Sequence, residues 1–202
     1  MNFLRLTSAA VARYRAQWGQ YWMNRLVEEI QRRHRNQVAV VGAVLAVLRE
    51  PRLGLELRVP GLNIVTNDGD TYYAQSAAGE AVDDDFDGAN SGLRLGSDNT
   101  SPTKSDTDVT TFLSGSAHAL DGGYEKTNDD DSDNTGAGVD VVTWRYSYTT
   151  GEGNVSNIIE GAVVDDRTTP TAALTHFLFA ASFNKTSSDT LKVFVNHTMN
   201  GV

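Results

Sequence analysis

Three aspartates at alternating positions form the clearest pattern of potential metal ligands in this sequence. Asp83, Asp85 and Asp87 precede Gly88, which matches the first half of a calcium-binding loop: alternate carboxylates surround one hard cation, and the glycine permits a sharp turn. The second half does not match, because Arg94 occupies the position of the bidentate glutamate. The residues therefore favour a solvated acidic loop, with a site for calcium or another cation at Asp83, Asp85 and Asp87 as the alternative, and they predict no other cofactor.

The sequence lacks the patterns that nucleophilic, zinc-dependent or nucleotide-dependent catalysis requires. It has no cysteine, its four histidines have no metal-ligand spacing, and it contains neither a G-x-S-x-G motif nor a phosphate-binding glycine loop. Glu160, between Ile159 and Gly161, is the carboxylate closest to an apolar setting that could tune it for acid–base chemistry. We predict that the protein is not an enzyme and has no catalytic residues.

Charge divides the chain into two parts. Residues 1–58 contain ten arginines, no lysine and four acidic residues, for a net charge of +6. Residues 59–202 contain seven basic and twenty-two acidic residues, for a net charge of −15. We therefore predict a basic docking arm over 1–58 and an acidic body over 59–202, so that a fragment beginning at Pro60 should fold alone. The acidic body should repel phosphates and not bind nucleic acid directly.

The types of charged residue also indicate that the protein is adapted to high salt. Aspartate outnumbers glutamate eighteen to eight, and the chain has four lysines. Many short carboxylates with few lysines suit a protein that stays soluble in high salt, where screening weakens the repulsion between like charges. We expect a halophilic source, with an ordinary acidic, loop-rich protein as the alternative.

An apolar stripe in the arm is the best candidate for a partner-binding surface. Residues 8–35 predict a helix with Ser8 at its N-cap, because apolar residues recur every three or four positions. The stripe contains two of the three tryptophans, and interfaces favour tryptophan and tyrosine. It could pack within the molecule or form an oligomer or partner contact, and its predicted contact residues are Tyr14, Trp18, Trp22, Leu26 and Ile30.

The apolar run 38–48 spans eleven residues. A membrane-spanning helix needs about twenty, so we expect a buried segment and no transmembrane span. Valine favours a strand and alanine a helix, and the periodicity does not decide between them. Beyond it, Pro51 and Pro60 enclose a short alternating segment at 53–59, which predicts a linker strand.

The rest of the chain predicts short strands separated by polar turns. Candidate strands lie at 62–66, 71–74, 93–96, 108–113, 139–149, 155–164, 174–183 and 189–199, and Asn67-Asp68-Gly69 indicates a turn. Many strands without intervening helices are typical of a sandwich or jelly roll. The predicted fold class is therefore α+β by segregation: an N-terminal helical arm followed by an all-β antiparallel sandwich or jelly-roll-like body.

The body resembles structural proteins of tailed viruses. The resemblance covers residues 62–201 and depends on three segments: 63–67, 93–108, which contains the sequence LRLGSDNTSPTKSDTD, and 183–193 with the sequence FNKTSSDTLKV. It implies a β-sandwich that serves as a capsid decoration, head fibre, neck or tail component, with no catalytic residues. With the acidic composition, the implied source is a tailed virus of a haloarchaeon.

Together these observations predict a non-enzymatic component of the virion. The arm would dock or oligomerise the protein against capsid, portal, neck or tail subunits, and the acidic body would project from the particle. The alternative is a carbohydrate- or receptor-binding module, in which Trp144, Tyr146 and Tyr148 would stack on sugars because they share one strand face.

Overall fold

The computed structural model describes residues 39–200, which form one antiparallel β-sheet and one short helix. The helix is α1 (Asn67–Ala78). The strands are β1 (Ala39–Glu50), β2 (Leu55–Val65), β3 (Gly92–Gly96), β4 (Lys126–Thr127), β5 (Val141–Tyr148), β6 (Ile158–Val164), β7 (Ala173–Phe183) and β8 (Thr190–Asn200). The expectation of a mostly antiparallel β body is confirmed. The predicted helical arm at 8–35 lies outside the described residues.

The sheet has the order β3-β6-β7-β2-β1-β8-β5-β4, with β1 near its centre. β1 pairs with β2 from Gly42↔Asn63 to Glu50↔Leu55, and with β8 along its other side. The ambiguous run 38–48 is therefore a strand from Ala39 onwards, in keeping with its valine content. The charge boundary at residue 58 falls inside β2, so it does not coincide with a structural boundary among the described residues.

The segment predicted as a turn followed by a strand at 71–74 is instead α1. Thr66 caps its N-terminus by accepting a hydrogen bond from the Gly69 N–H, and Asp68 and Asp70 lie in the first turn, where carboxylates favour a helix. Gly79 ends the helix in the left-handed conformation at φ 71°. The Asn-Asp-Gly signal therefore belongs to a helix start, and the prediction of a body without helices was wrong.

The two faces of the sheet are covered by different elements. The inner face carries Val44, Trp144 and Val193 among other core residues and packs against α1, with Tyr72 in the shared core. The outer face is crossed by two loops, 97–113 over β3, β6 and β7, and 128–138 over β5, β8 and β1. The predicted strand at 108–113 lies in the first of these loops, where only Phe112 forms a bridge, to Gly96.

The sheet curls so that its two ends share one core. Leu93 of β3 and Tyr146 of β5 belong to the same buried cluster although their strands lie near opposite edges. The segment 112–118 connects these edges: His118 exchanges backbone hydrogen bonds with Leu93, and its ring lies 4.4 Å from that of Tyr148. Curling encloses the main apolar core on the inner face, whereas the loop 97–113 packs on a smaller outer cluster through Val109 and Phe112.

Candidate functional site

The predicted partner-binding residues lie outside the described residues. Tyr14, Trp18, Trp22, Leu26 and Ile30 all precede Ala39, where the described sheet begins. Residues 39–58 of the predicted arm form β1 and the start of β2, so the name arm is kept below for residues 1–38, which join the sheet at Ala39. Ala39 pairs with Asn200, so the arm joins the sheet beside the end of β8.

The three predicted cation ligands lie in the loop that follows α1, and they bond within the protein. Asp83 accepts a hydrogen bond from the Gln75 side chain at 2.7 Å and donates its N–H back to the same amide. Asp85 accepts the N–H of Asp87 at 3.1 Å. These bonds order the loop as a series of local turns, with the Asp83 carboxylate held against α1.

An acidic surface surrounds this loop. It consists of carboxyl groups close enough for their charges to act on Asp84, Asp87 or Glu125, and its members are Asp68, Asp83, Asp84, Asp85, Asp87, Glu125 and Asp165. Burial and the neighbouring charges of Asp68, Asp165 and Asp83 raise the pKa of Asp84. The hydrogen bond to Asp85, together with burial, raises the pKa of Asp87. At Asp84 and Asp87, neighbouring carboxylates therefore add to burial in destabilising the ionised form.

Glu125 is the most strongly perturbed carboxylate of the acidic surface. Burial, followed by the charges of Asp87 and Asp85, raises its pKa to about 7. One of its oxygens accepts a hydrogen bond from the Tyr72 hydroxyl at 3.1 Å, and the other is buried without a partner among the described residues. Near neutral pH this carboxyl group is therefore partly protonated.

The described residues contain no group of three or more histidines or acids placed to hold a metal ion. Cation binding at Asp83, Asp85 and Asp87 consequently stays a prediction. Among the same residues, no helix is long and apolar enough to cross a membrane.

The loop 128–138 is also rich in acids, but its environment is different because basic side chains neutralise Asp131 and Asp133. Asp133 accepts hydrogen bonds from Arg49 and, at 2.9 Å, from Lys192, which also bonds Asp131 at 2.8 Å. The hydrogen bond from Arg49 is the largest cause that holds the pKa of Asp133 far below its usual range. This outer charge cluster contains four basic and four acidic residues: Arg49, Arg58, Arg145, Lys192, Glu56, Asp121, Asp131 and Asp133.

Glu160, the sequence candidate for acid–base chemistry, has a structural environment. It is fully buried and accepts backbone N–H groups of Asp98, Thr110 and Thr111 at 2.9–3.0 Å. Burial alone would raise its pKa, but the hydrogen bond from His176 and these N–H groups lower it overall. The carboxylate stays ionised and fixes the loop 97–113 to the sheet.

His176 completes this attachment. Its Nδ1 lies 2.7 Å from an Asp106 oxygen and its Nε2 lies 3.0 Å from a Glu160 oxygen. Burial alone would lower the pKa of His176, but the two hydrogen bonds and charges outweigh burial and raise it. The imidazolium therefore joins the loop carboxylate of Asp106 to the strand carboxylate of Glu160.

His197 lies on the inner face in a polar chain beneath α1. Its ring nitrogens lie 2.6 Å from the Tyr73 hydroxyl and 2.7 Å from the Asn63 amide nitrogen, and Trp144 donates to Tyr73 at 3.3 Å. A half-turn of the amide, which leaves its shape unchanged, gives the buried Asn63 oxygen the Nε2–H as a donor. The tyrosine then donates to Nδ1. Burial lowers the pKa of His197 to about 3, so this histidine is neutral and joins α1 to the sheet.

The three aromatic residues of the sugar-binding alternative are all in the core. Trp144 and Tyr146 are fully buried, and Tyr148 is 2% exposed. A sugar cannot stack on rings that already pack inside the sheet. The alternative therefore loses the observation on which it depended.

Comparison with known proteins adds no relative: no family model, curated protein or solved structure matches the chain.

Sequence reasoning missed the polar groups that folding brings together over long distances in the chain. Arg49 and Asp133 are 84 residues apart, and Asp106 and His176 are 70 apart. Only the alternation of polar residues on otherwise apolar strands, such as His176 and His197, gave a signal. Their partners lie in irregular loops, where no periodicity predicts direction.

Proposed function

We propose that this protein is a non-enzymatic structural component of a tailed-virus particle. It docks or oligomerises through its N-terminal arm and projects an acidic, sandwich-like β body as a capsid decoration, head fibre, neck or tail component. The sequence resemblance supports the class of protein. The position of β1 supports attachment through the arm.

The observation that carries the proposal is the direct continuation of the arm into β1. This strand has neighbours on both sides, and its ladders run from Glu50↔Leu55 and Arg49↔Thr190 to Gly42↔Asn63 and Ala39↔Asn200, where the arm enters the strand. Ladder hydrogen bonds lie perpendicular to the strand, so a pull along β1 loads many of them together. A body held by this strand would resist being torn from its attachment point.

The charge distribution agrees with display in brine. The outer charge cluster is balanced and supports the sheet, whereas no basic side chain within residues 39–200 forms an ion pair with the acidic surface beside α1. High salt screens the repulsion within such a surface. Excess negative charge there would keep a projecting body hydrated and apart from its neighbours.

Mass spectrometry of purified virus particles tests the assignment. Peptides from this chain should be present in a fixed ratio to the major capsid protein, and capsid, portal or tail genes should lie beside its gene. Particles that lack the chain while the infected cells contain it would contradict a virion role.

A further inference from the structure

The first half of β2 has a free edge within the described sheet. β7 continues to Phe183 but pairs with β2 only from Gly61 to Val65, and no described strand pairs with residues 55–60 on that side. β1 occupies the opposite side along this whole length. One row of backbone groups between Leu55 and Pro60 is therefore left without a ladder partner.

The pairing of β2 with β7 shows which groups face this edge. Thr66, just beyond β2, donates its N–H to the carbonyl of Leu174 in β7. The backbone N–H and C=O groups of even-numbered residues in β2 therefore point towards the β7 side. By this alternation the N–H and C=O groups of Glu56 and Arg58 face the free edge. Pro60, the next in the row, has no N–H, which suits an unpaired edge and limits the free donors to two residues.

We propose that two copies of this chain pair antiparallel through this edge, about a two-fold axis at Leu57. In this register Glu56 lies opposite the partner's Arg58, and the two residues exchange backbone hydrogen bonds in both directions. The symmetric pair does the same on the other side of the axis. All free N–H groups of both edges are then satisfied, and Pro60 lies just outside the paired segment.

The side chains are self-complementary in the same register. On the outer face, Glu56 of each copy lies beside the partner's Arg58, and opposite charges across an antiparallel pair stabilise it. On the inner face, Leu55 lies opposite the partner's Val59 and the two copies of Leu57 adjoin. A one-residue shift would destroy both matches, because it would oppose charged to apolar residues.

Exposed apolar area is concentrated at the same place. Among the described residues four large hydrophobic side chains are exposed, and two of them, Leu53 at 70% and Leu55 at 41%, lie at the tip of the β1–β2 hairpin. An exposed apolar edge strand tends to pair with another chain. Because Glu56 and Arg58 complement each other across the edge, the chain that fits it is a second copy of this protein.

Cysteine cross-linking tests the register, because the natural chain has no cysteine. In the full chain, Leu57→Cys places two thiols at a non-hydrogen-bonded pair with Cα atoms about 4.5 Å apart, within the range for a disulfide. Mild oxidation should convert most of this variant into a covalent dimer.

Two variants serve as matched controls. Leu55→Cys is more exposed, but the register places its two copies roughly 13 Å apart; Leu48→Cys is half-buried on the adjacent interior strand. Both should stay largely monomeric on a non-reducing gel. Equal cross-linking of Leu55→Cys would show random collision and overturn the proposal, as would a monomeric Leu57→Cys that retains the β spectrum.

Hydrogen exchange gives a test without any substitution. The amides of Glu56 and Arg58 should become protected as protein concentration rises, whereas those of Leu55 and Leu57, bonded to β1, should be protected throughout. Protection that does not change with concentration, in a monomeric protein, would overturn the proposal. Repeating the measurement with Trp18→Ala and Trp22→Ala separates this interface from any contact made by the arm.

Discussion

Single buried polar groups decide how α1 is held to the sheet. Tyr73→Phe removes the hydroxyl between His197 and Trp144 and leaves a buried ring nitrogen without its partner. Such a loss costs about 1–3 kcal/mol of unfolding free energy. Tyr146→Phe is the matched control, because the Tyr146 hydroxyl is buried with no partner among the described residues. Urea unfolding should show a clear loss for the first variant and little change or a gain for the second; equal effects would contradict the proposed hydrogen-bond chain.

His176 should make stability depend on pH. Its folded-state pKa is raised, so its contribution is complete below its usual pKa of about 6.5 and is lost as pH rises through the folded value. The pKa values of Glu160 and Asp106 are lowered, so their contribution is instead lost on acidification. Unfolding free energy should therefore fall more between pH 6 and pH 9 in the natural protein than in His176→Gln.

This comparison isolates the histidine because both proteins retain Glu125, whose raised pKa also makes stability depend on pH. A parallel fall in the two proteins would show that His176 does not titrate with unfolding.

The site around His176 could not be predicted from residue patterns. The sequence identified Glu160 as a carboxylate near apolar residues, but its imidazole partner lies on another strand and its N–H donors lie in an irregular loop.

At the scale of elements, β1 should be indispensable. A fragment of residues 60–202 lacks β1 and the first half of β2, and this removes the only described partner of one side of β8. Contrary to the expectation from charge that a fragment beginning at Pro60 folds alone, it should be unfolded in molar salt, whereas residues 39–202 should show a β spectrum and a cooperative thermal transition. Circular dichroism of both fragments checks this, and cooperative unfolding of the 60–202 fragment would refute it.

The local sequence pattern predicted the strands in which apolar residues alternate regularly towards the core. Alternation identified β5, β7 and β8 closely, since each presents one apolar face to the core. It failed where tertiary contacts decide. Asn67-Asp68-Gly69 begins a helix because Thr66 caps it and because Gly69 approaches the Leu174 carbonyl too closely for any side chain. Charge placed a boundary at residue 58, but Arg49 and Arg58, on its N-terminal side, bind Asp133 of a distant loop in the acidic part.

For the whole molecule, stability should rise with salt. The acidic surface beside α1 holds carboxylates whose raised pKa values record mutual repulsion as well as burial, and molar salt screens that repulsion. The thermal midpoint should therefore increase from low to molar salt, and one that does not move would reject the halophilic interpretation.

Calcium addresses the cation prediction separately. If Asp83, Asp85 and Asp87 bind calcium, the ion should raise the midpoint at constant ionic strength, because binding to the folded state alone stabilises it. A chelator should reverse the gain, and Asp85→Asn should abolish it. A midpoint that responds to salt but not to calcium would leave screening as the whole effect.

Attachment through the N-terminal arm is the central claim, and sedimentation velocity of the full chain in molar salt tests it most directly. The natural protein should sediment as an assembly larger than a dimer. Trp18→Ala combined with Trp22→Ala should reduce it to a dimer or monomer with an unchanged β spectrum, because buried aromatics dominate such contacts. Gln20→Ala with Asn24→Ala, off the apolar stripe, should leave the size unchanged. A tryptophan double variant that sediments like the natural protein would contradict the claim.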